Sequence, residues 1–299
     1  MEKIDPSKAI APMKGVDDLV EEAIDSLRAD KKVYAYISET LKLSMGEVKA
    51  NLPALLDYQE DVNYCAHCPG LRKCAKATPC FVLKLEKVDG ILYRHLDPCE
   101  KKSEAEDFAG RYLLRDFPDS YASADLKNVE KSKASREEVI LRMTKMVLNK
   151  TEDWVYITGN RGAGKSYLLA AFANSFSKKK APVAYADTAA LIDKLKELNI
   201  KDKAEYGRLF DELVSCPLLV LDDFGNEFKS EFVFASILFP LINERAKAKK
   251  ATAFASDFSI SDIYLMYKDK VGVPRARQLS ELLKSFCKKE FDVSGVSLH

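Results

Sequence analysis

The chain has 299 residues, 47% hydrophobic and 31% charged, which suggests two domains and enough apolar residues for a sizeable core. Its 47 Lys and Arg nearly balance 46 Asp and Glu, so whole-chain charge gives no argument for nucleic acid, and any such contact must come from local clusters. No apolar run approaches the roughly 20 residues of a membrane span, and MEKIDPSKAIAPMKG lacks the apolar stretch of a secretory signal; both predict a cytoplasmic protein with no membrane attachment.

In chain order, residues 14–60 place apolar side chains at helical spacing, with Leu19, Ala23, Ile24 and Leu27 followed by Val33, Tyr36, Ile37 and Leu41. Pro53 is expected to interrupt this run. A cysteine segment comes next, and then two strand-like pieces, FVLKL and GILYRHL, are separated by the turn signal Asp89-Gly90. Residues 1–100 therefore read as a small helical, metal-bearing domain. Residues 101–134, mixed in charge and carrying the aromatic stretch Tyr112 to Tyr121, read as a linker that partly folds onto the C-terminal domain.

From about residue 135 to 299 short apolar strands alternate with amphipathic helices. WVYIT (154–158), PVAYA (182–186), PLLVL (217–221) and ATAFAS (251–256) are the strands; 165–178, 188–198, 204–214, 231–248 and about 275–290 are the helices. This alternation predicts an α/β domain with a parallel sheet covered by helices on both faces.

The first chemical motif is the cysteine cluster, C-x2-C-x5-C-x5-C-x18-C from Cys65 through Cys68, Cys74 and Cys80 to Cys99, with His67 and His95 interleaved. Disulfides are rare in a reducing compartment, so C-x-x-C points to metal or redox chemistry. Four ligands close a tetrahedral zinc site. Cys65 and Cys68 form one half; Cys74, Cys80, Cys99, His67 and His95 are the candidates for the other.

The second motif is Gly159-Asn160-Arg161-Gly162-Ala163-Gly164-Lys165-Ser166, a full G-x-x-x-x-G-K-[ST] pattern between a strand and a helix, with Tyr167 next along. Glycines let backbone N–H groups turn inward around phosphate oxygens, and the helix N-terminus adds its dipole. Lys165 is the candidate for the β- and γ-phosphates of ATP, and Ser166 for Mg2+. In LLVLDDFGNE a buried strand ends in acids. Asp222 is the second candidate Mg2+ ligand, Asp223 the residue that orients or deprotonates water, and Glu227 a further candidate. The next strand ends at Asp257, a candidate phosphate sensor. Arg275 and Arg277 are candidate arginine fingers toward a neighbouring subunit's nucleotide.

Taken together, YITGNRGAGKSYLLAAFAN, LLVLDDFGNE, FASDFS, NYCAHCPGLRKC and DPCEKK resemble the bacterial DnaI-type primosomal helicase loaders, AAA+ relatives of DnaC and DnaA. The resemblance covers nearly the whole chain. It implies an AAA+ ATPase domain that oligomerises and engages single-stranded DNA, and an N-terminal zinc domain that binds the replicative hexameric helicase. It also implies zinc ligation by Cys65, Cys68, Cys80 and Cys99, with Cys74 spare. Against that family pattern, Asp257 stands where Asn is usual and Glu281, with Lys284 one turn on, where a sensor arginine is expected; Arg277 matches. A carboxylate there disfavours a triphosphate unless offset. Other readings are a transposition-helper ATPase and a nucleotide-binding adaptor with little hydrolysis.

Overall fold

The computed structural model describes residues 15–130, 134–151 and 153–294. The described residues form two compact units, divided between Asp107 and Phe108.

In the first unit, the apolar spacing builds α1 (Val16–Ala29), α2 (Lys31–Ala35), α3 (Met45–Ala50) and α4 (Leu52–Ala66). Local chemistry sets where two of them start. Asp30 accepts from the Val33 N–H ahead of α2, and Ser44 with Glu47 forms a reciprocal capping box on α3. The helical run breaks at Asn51, between α3 and α4, and Pro53 lies in the first turn of α4, where its missing N–H costs nothing; that helix continues to Ala66, carrying Cys65 in its last turn. Ile24, Leu27, Val33, Ile37, Leu41, Val48, Leu52 and Leu55 meet Leu85 in one core. Leu85 belongs to a hairpin of β1 (Phe81–Val88) and β2 (Ile91–Pro98), in register from Phe81 opposite Pro98 to Val88 opposite Ile91. Its two-residue turn is Asp89-Gly90, with φ of 49° and 80°. Two positive φ values match the twist of the flanking strands.

The helix α5 (Glu100–Gly110) leads into β3 (Tyr112–Arg115). After α6 (Ala134–Val147) come β4 (Val155–Thr158), α7 (Lys165–Ser177), β5 (Val183–Asp187), α8 (Thr188–Lys201), α9 (Lys203–Ser215) and β6 (Leu218–Asp222). A further helical stretch consists of α10 (Glu231–Val233), a π-helical segment (Phe234–Leu238) and α11 (Phe239–Lys247), and β7 (Ala251–Ser256), α12 (Ile260–Val271), α13 (Val273–Cys287) and β8 (Glu290–Asp292) complete the order.

The second unit's sheet runs β3-β5-β6-β7-β4-β8, and every neighbouring pair is parallel. Alternate side chains of each strand enter opposite layers, as the pleat requires. Tyr156, Leu219, Leu221 and Phe254 pack toward α8, α9, α11, α12 and α13; Val155, Ile157, Val220 and Ala253 pack toward α6 and α7. Strands covered on both faces are apolar throughout, which is why they stand out in the sequence. β3 and β8, at the two edges, were not expected. Residues 112–115, expected in the linker, instead pair with β5 from Tyr112 opposite Val183 to Arg115 opposite Tyr185.

Parallel strands put all their C-terminal ends on one edge. That edge collects the turn after β4, Asp222 at the end of β6 and Asp257 just beyond β7.

Candidate nucleotide site

The turn between β4 and α7 folds as its glycines permit. Gly159, Gly162 and Gly164 have φ of 151°, 80° and 77°, and Gly164 immediately precedes α7. Gly159 also lies against the chain beyond β8: a Cβ there would come within 3.1 Å of the Ser294 nitrogen, so a side chain at this position meets both backbone strain and a near neighbour.

Lys165 points back under the loop. Its Nζ donates to Gly159 O at 2.6 Å, to Asn160 O at 3.2 Å and to Asp257 Oδ1 at 2.7 Å. The last is an ion pair whose partners lie 92 positions apart. The sheet explains it: Thr158 and Ser256 are register partners on β4 and β7, so the residues after them emerge side by side. Burial pushes the Asp257 carboxyl up, but Lys165 and then Arg161 outweigh it and hold it below the usual carboxylate value.

Asp222 sits opposite. Its Oδ2 accepts from the Tyr185 hydroxyl at 2.5 Å and its Oδ1 from the Asp223 N–H at 3.0 Å. The Ser166 hydroxyl lies near enough to pull the carboxyl pKa down against burial, and Thr188 Oγ1 donates to the Asp222 carbonyl at 2.6 Å. Burial is the largest influence on the Asp222 carboxyl and raises its pKa. Burial, then the Asp222 charge, raises that of Tyr185. Asp223 has φ of 55° and holds Asn226 Nδ2 at 2.8 Å.

These groups line one cleft of about 550 Å3: Arg161 through Tyr167, Asp222, Asp223 and Asp257, with Tyr121 on its wall. A cleft of this size with a loop of N–H groups, one buried lysine and carboxylates at the far side suits a nucleotide with a divalent cation. Ser166 and Asp222, an adjacent hydroxyl and carboxylate, are hard oxygen donors that fit Mg2+.

Most of the sequence candidates thus converge, with exceptions. Gly159 and Asn160 contribute carbonyls to Lys165 but do not line the cleft; Asn160 donates its N–H to Ser294 Oγ at 3.2 Å. Glu227 faces the core: it is buried, and accepts from Tyr267 Oη and the Gly225 N–H, each at 2.7 Å. Arg277, Glu281 and Lys284 are exposed on α13 and absent from the cleft lining, while Arg275 pairs with Glu231 at 2.6 Å.

Three residues of the site carry no recognisable signal in the sequence. Tyr121, edge-on to Tyr167 with ring centroids 5.3 Å apart, comes from the aromatic stretch that begins at Tyr112. Tyr185 looks like an ordinary strand residue. Arg136, buried on α6, donates to Ala163 O at 2.5 Å and so braces the loop from behind; nothing in its neighbourhood in the sequence signals this.

The cysteines converge but do not assemble. Cys65, Cys68, Cys74, Cys80 and Cys99 all line one cavity of about 200 Å3. Their sulfurs are engaged separately: Cys74 Sγ accepts from the Cys80 N–H at 3.3 Å, Cys80 Sγ donates to Leu71 O at 3.4 Å, and Lys76 Nζ donates to Cys65 Sγ at 3.5 Å. Among the described residues no three His, Cys, Asp or Glu side chains form a group that could hold a metal ion, so the expected zinc set does not fit as these side chains stand.

Comparison with known proteins agrees with the fold. The family model of IstB-like ATP binding proteins matches residues 119–272. The replicative helicase loader DnaI of Bacillus subtilis (strain 168) is 23% identical over 283 residues, covering 88% of each chain. A putative primosome component from Streptococcus pyogenes serotype M3 superposes with a TM-score of 0.53 at 25% identity, over 64% of this chain and 98% of its own. A crystal structure of DnaI gives 0.53 at 22%, over 65% and 100%. The resemblance to DnaI-type loaders carried by the motifs is thus seen again in whole sequences and in the fold of the parallel-sheet domain. With its α/β architecture matching an AAA+ P-loop domain, the chain belongs to the family of IstB-like ATP binding proteins.

Proposed function

We propose that this protein loads a replicative hexameric DNA helicase onto single-stranded DNA and is switched by ATP. The observation that carries the proposal is the reach of the similarity to the Bacillus subtilis loader, 88% of both chains, which takes in the helical first unit as well as the nucleotide domain. A family shared only through the ATP domain would leave the first unit unmatched.

In this reading Lys165 serves the β- and γ-phosphates, and Ser166 and Asp222 hold Mg2+, whose charge offsets that of the phosphate oxygens. Asp223 orients the attacking water or takes its proton, and Arg277 reaches the nucleotide of a neighbouring copy when the protein oligomerises. Loss of the γ-phosphate changes the subunit interface and releases the helicase. The first unit supplies the helicase-binding surface.

The test is loading itself. The full chain, the hexameric helicase of the same organism and circular single-stranded DNA are mixed with and without ATP, and DNA-bound helicase is measured. ATP-dependent retention supports the proposal. Failure to bind the helicase under any nucleotide condition refutes it and leaves a nucleotide-binding protein of another pathway.

A further inference from the structure

An ammonium group has three protons to donate. In this structure all three of those on Lys165 have partners inside the chain: two loop carbonyls and the Asp257 carboxylate. An anion is therefore already seated at the lysine a phosphate has to reach. The pair is well shielded, with 9% of the Lys165 side chain and 21% of the Asp257 side chain exposed, so solvent screens it only in part.

Asp257 is also fixed in place from behind. Ser256, fully buried, donates from Oγ to Phe224 O at 2.5 Å and accepts the Phe258 N–H at 3.0 Å, tying the turn after β7 to the turn after β6. Arg161, the other cation on Asp257, is 3.4 Å away and 85% exposed, so solvent screens its pull on the carboxylate far more than that of Lys165.

From this geometry we infer that Asp257 sets the phosphate-length preference of the site, favouring a nucleoside diphosphate over a triphosphate. The inference rests on the reading of this cleft as the nucleotide site. Lys165 serves β- and γ-phosphates alike. A diphosphate has to replace one of the lysine's three partners. A triphosphate has to take the carboxylate's place as well, which leaves Asp257 beside the terminal phosphate with its cation withdrawn. Like charges in a shielded site disfavour each other strongly. Asp257 is thereby a specificity-determining residue.

The experiment is equilibrium binding to the full chain, with Mg2+ present, of ADP and of the β,γ-methylene analogue of ATP, for the natural protein and for Asp257→Asn. Asparagine keeps the shape and a carbonyl oxygen for Lys165 but removes the charge. The natural protein should prefer ADP by about tenfold or more, the effect of roughly one pK unit of charge interaction. Asp257→Asn should bring the ratio near unity by tightening the analogue, with ADP affinity changed by less than about twofold. A ratio unchanged by the substitution, or parallel weakening of both ligands as from a loosened loop, overturns the inference alone. Binding of neither nucleotide to either protein overturns it together with the reading it rests on.

Discussion

The Tyr185 hydroxyl donates to Asp222 Oδ2 at 2.5 Å and lies 3.2 Å from Ser166 O. One buried phenol on β5 thus spans the two residues assigned to Mg2+, and the register of β5 on β6, Tyr185 opposite Val220 and Asp187 opposite Asp222, sets it there. Tyr185→Phe deletes the donor without altering the ring. It should weaken Mg2+-dependent nucleotide binding by about tenfold, the worth of a hydrogen bond to a charged group, and leave binding in EDTA unchanged. A fluorescent nucleotide titrated with Mg2+ measures this.

The turn after β6 depends on a buried carboxylate. Glu227 accepts from Tyr267 Oη and the Gly225 N–H, and Lys229 Nζ is 3.9 Å away. Tyr267→Phe leaves that carboxylate short of a donor and should cost about 1–3 kcal/mol of stability, read as a lower urea midpoint at unchanged m-value. Wild-type stability would mean that Lys229 satisfies Glu227 unaided.

At Gly225 the backbone has φ of 97°, and a Cβ would come within 2.6 Å of Ile263 Cδ1 and 2.9 Å of the Phe258 ring. Gly225→Ala combines a left-handed alanine with overpacking and should cost about 2 kcal/mol or more. Thermal melting checks it, and nucleotide affinity should fall too because Asp223 lies on the same turn.

The Lys165–Asp257 pair has a pH signature. Asp257 titrates below its ordinary value of 3.8, since Lys165 and Arg161 outweigh burial. A carboxyl that binds its proton less readily when folded adds stability above the unfolded value and loses it as pH falls through the folded one. The natural protein should therefore exceed Asp257→Ala by about 2 kcal/mol at pH 7, and the gap should close as pH is lowered from about 4. Urea midpoints at a series of pH values test this; a gap that widens on acidification would contradict it.

The second unit's central strands are legible in the sequence because both faces of β4, β5, β6 and β7 are buried, which leaves uninterrupted apolar runs. The edge strands are not. β8 is three residues with Phe291 as its buried member, and β3 is four half-buried residues ending in an arginine. The helix α12 was not expected either, although Ser259 and Asp262 form a capping box at its start, a signal of the S-x-x-D type. The loop from 159 to 166 and Asp222 are legible as local motifs. The Lys165–Asp257 and Tyr185–Asp222 pairs are not, because each is made by strand order and register, which local spacing does not encode.

Titration calorimetry of the full chain with Mg2+ and ATP probes whether the cleft between the turn after β4 and the ends of β6 and β7 holds the nucleotide. The natural protein should bind saturably and Lys165→Ala not at all, with the variant still folded by circular dichroism. Undiminished ATP binding by a folded Lys165→Ala protein would contradict this.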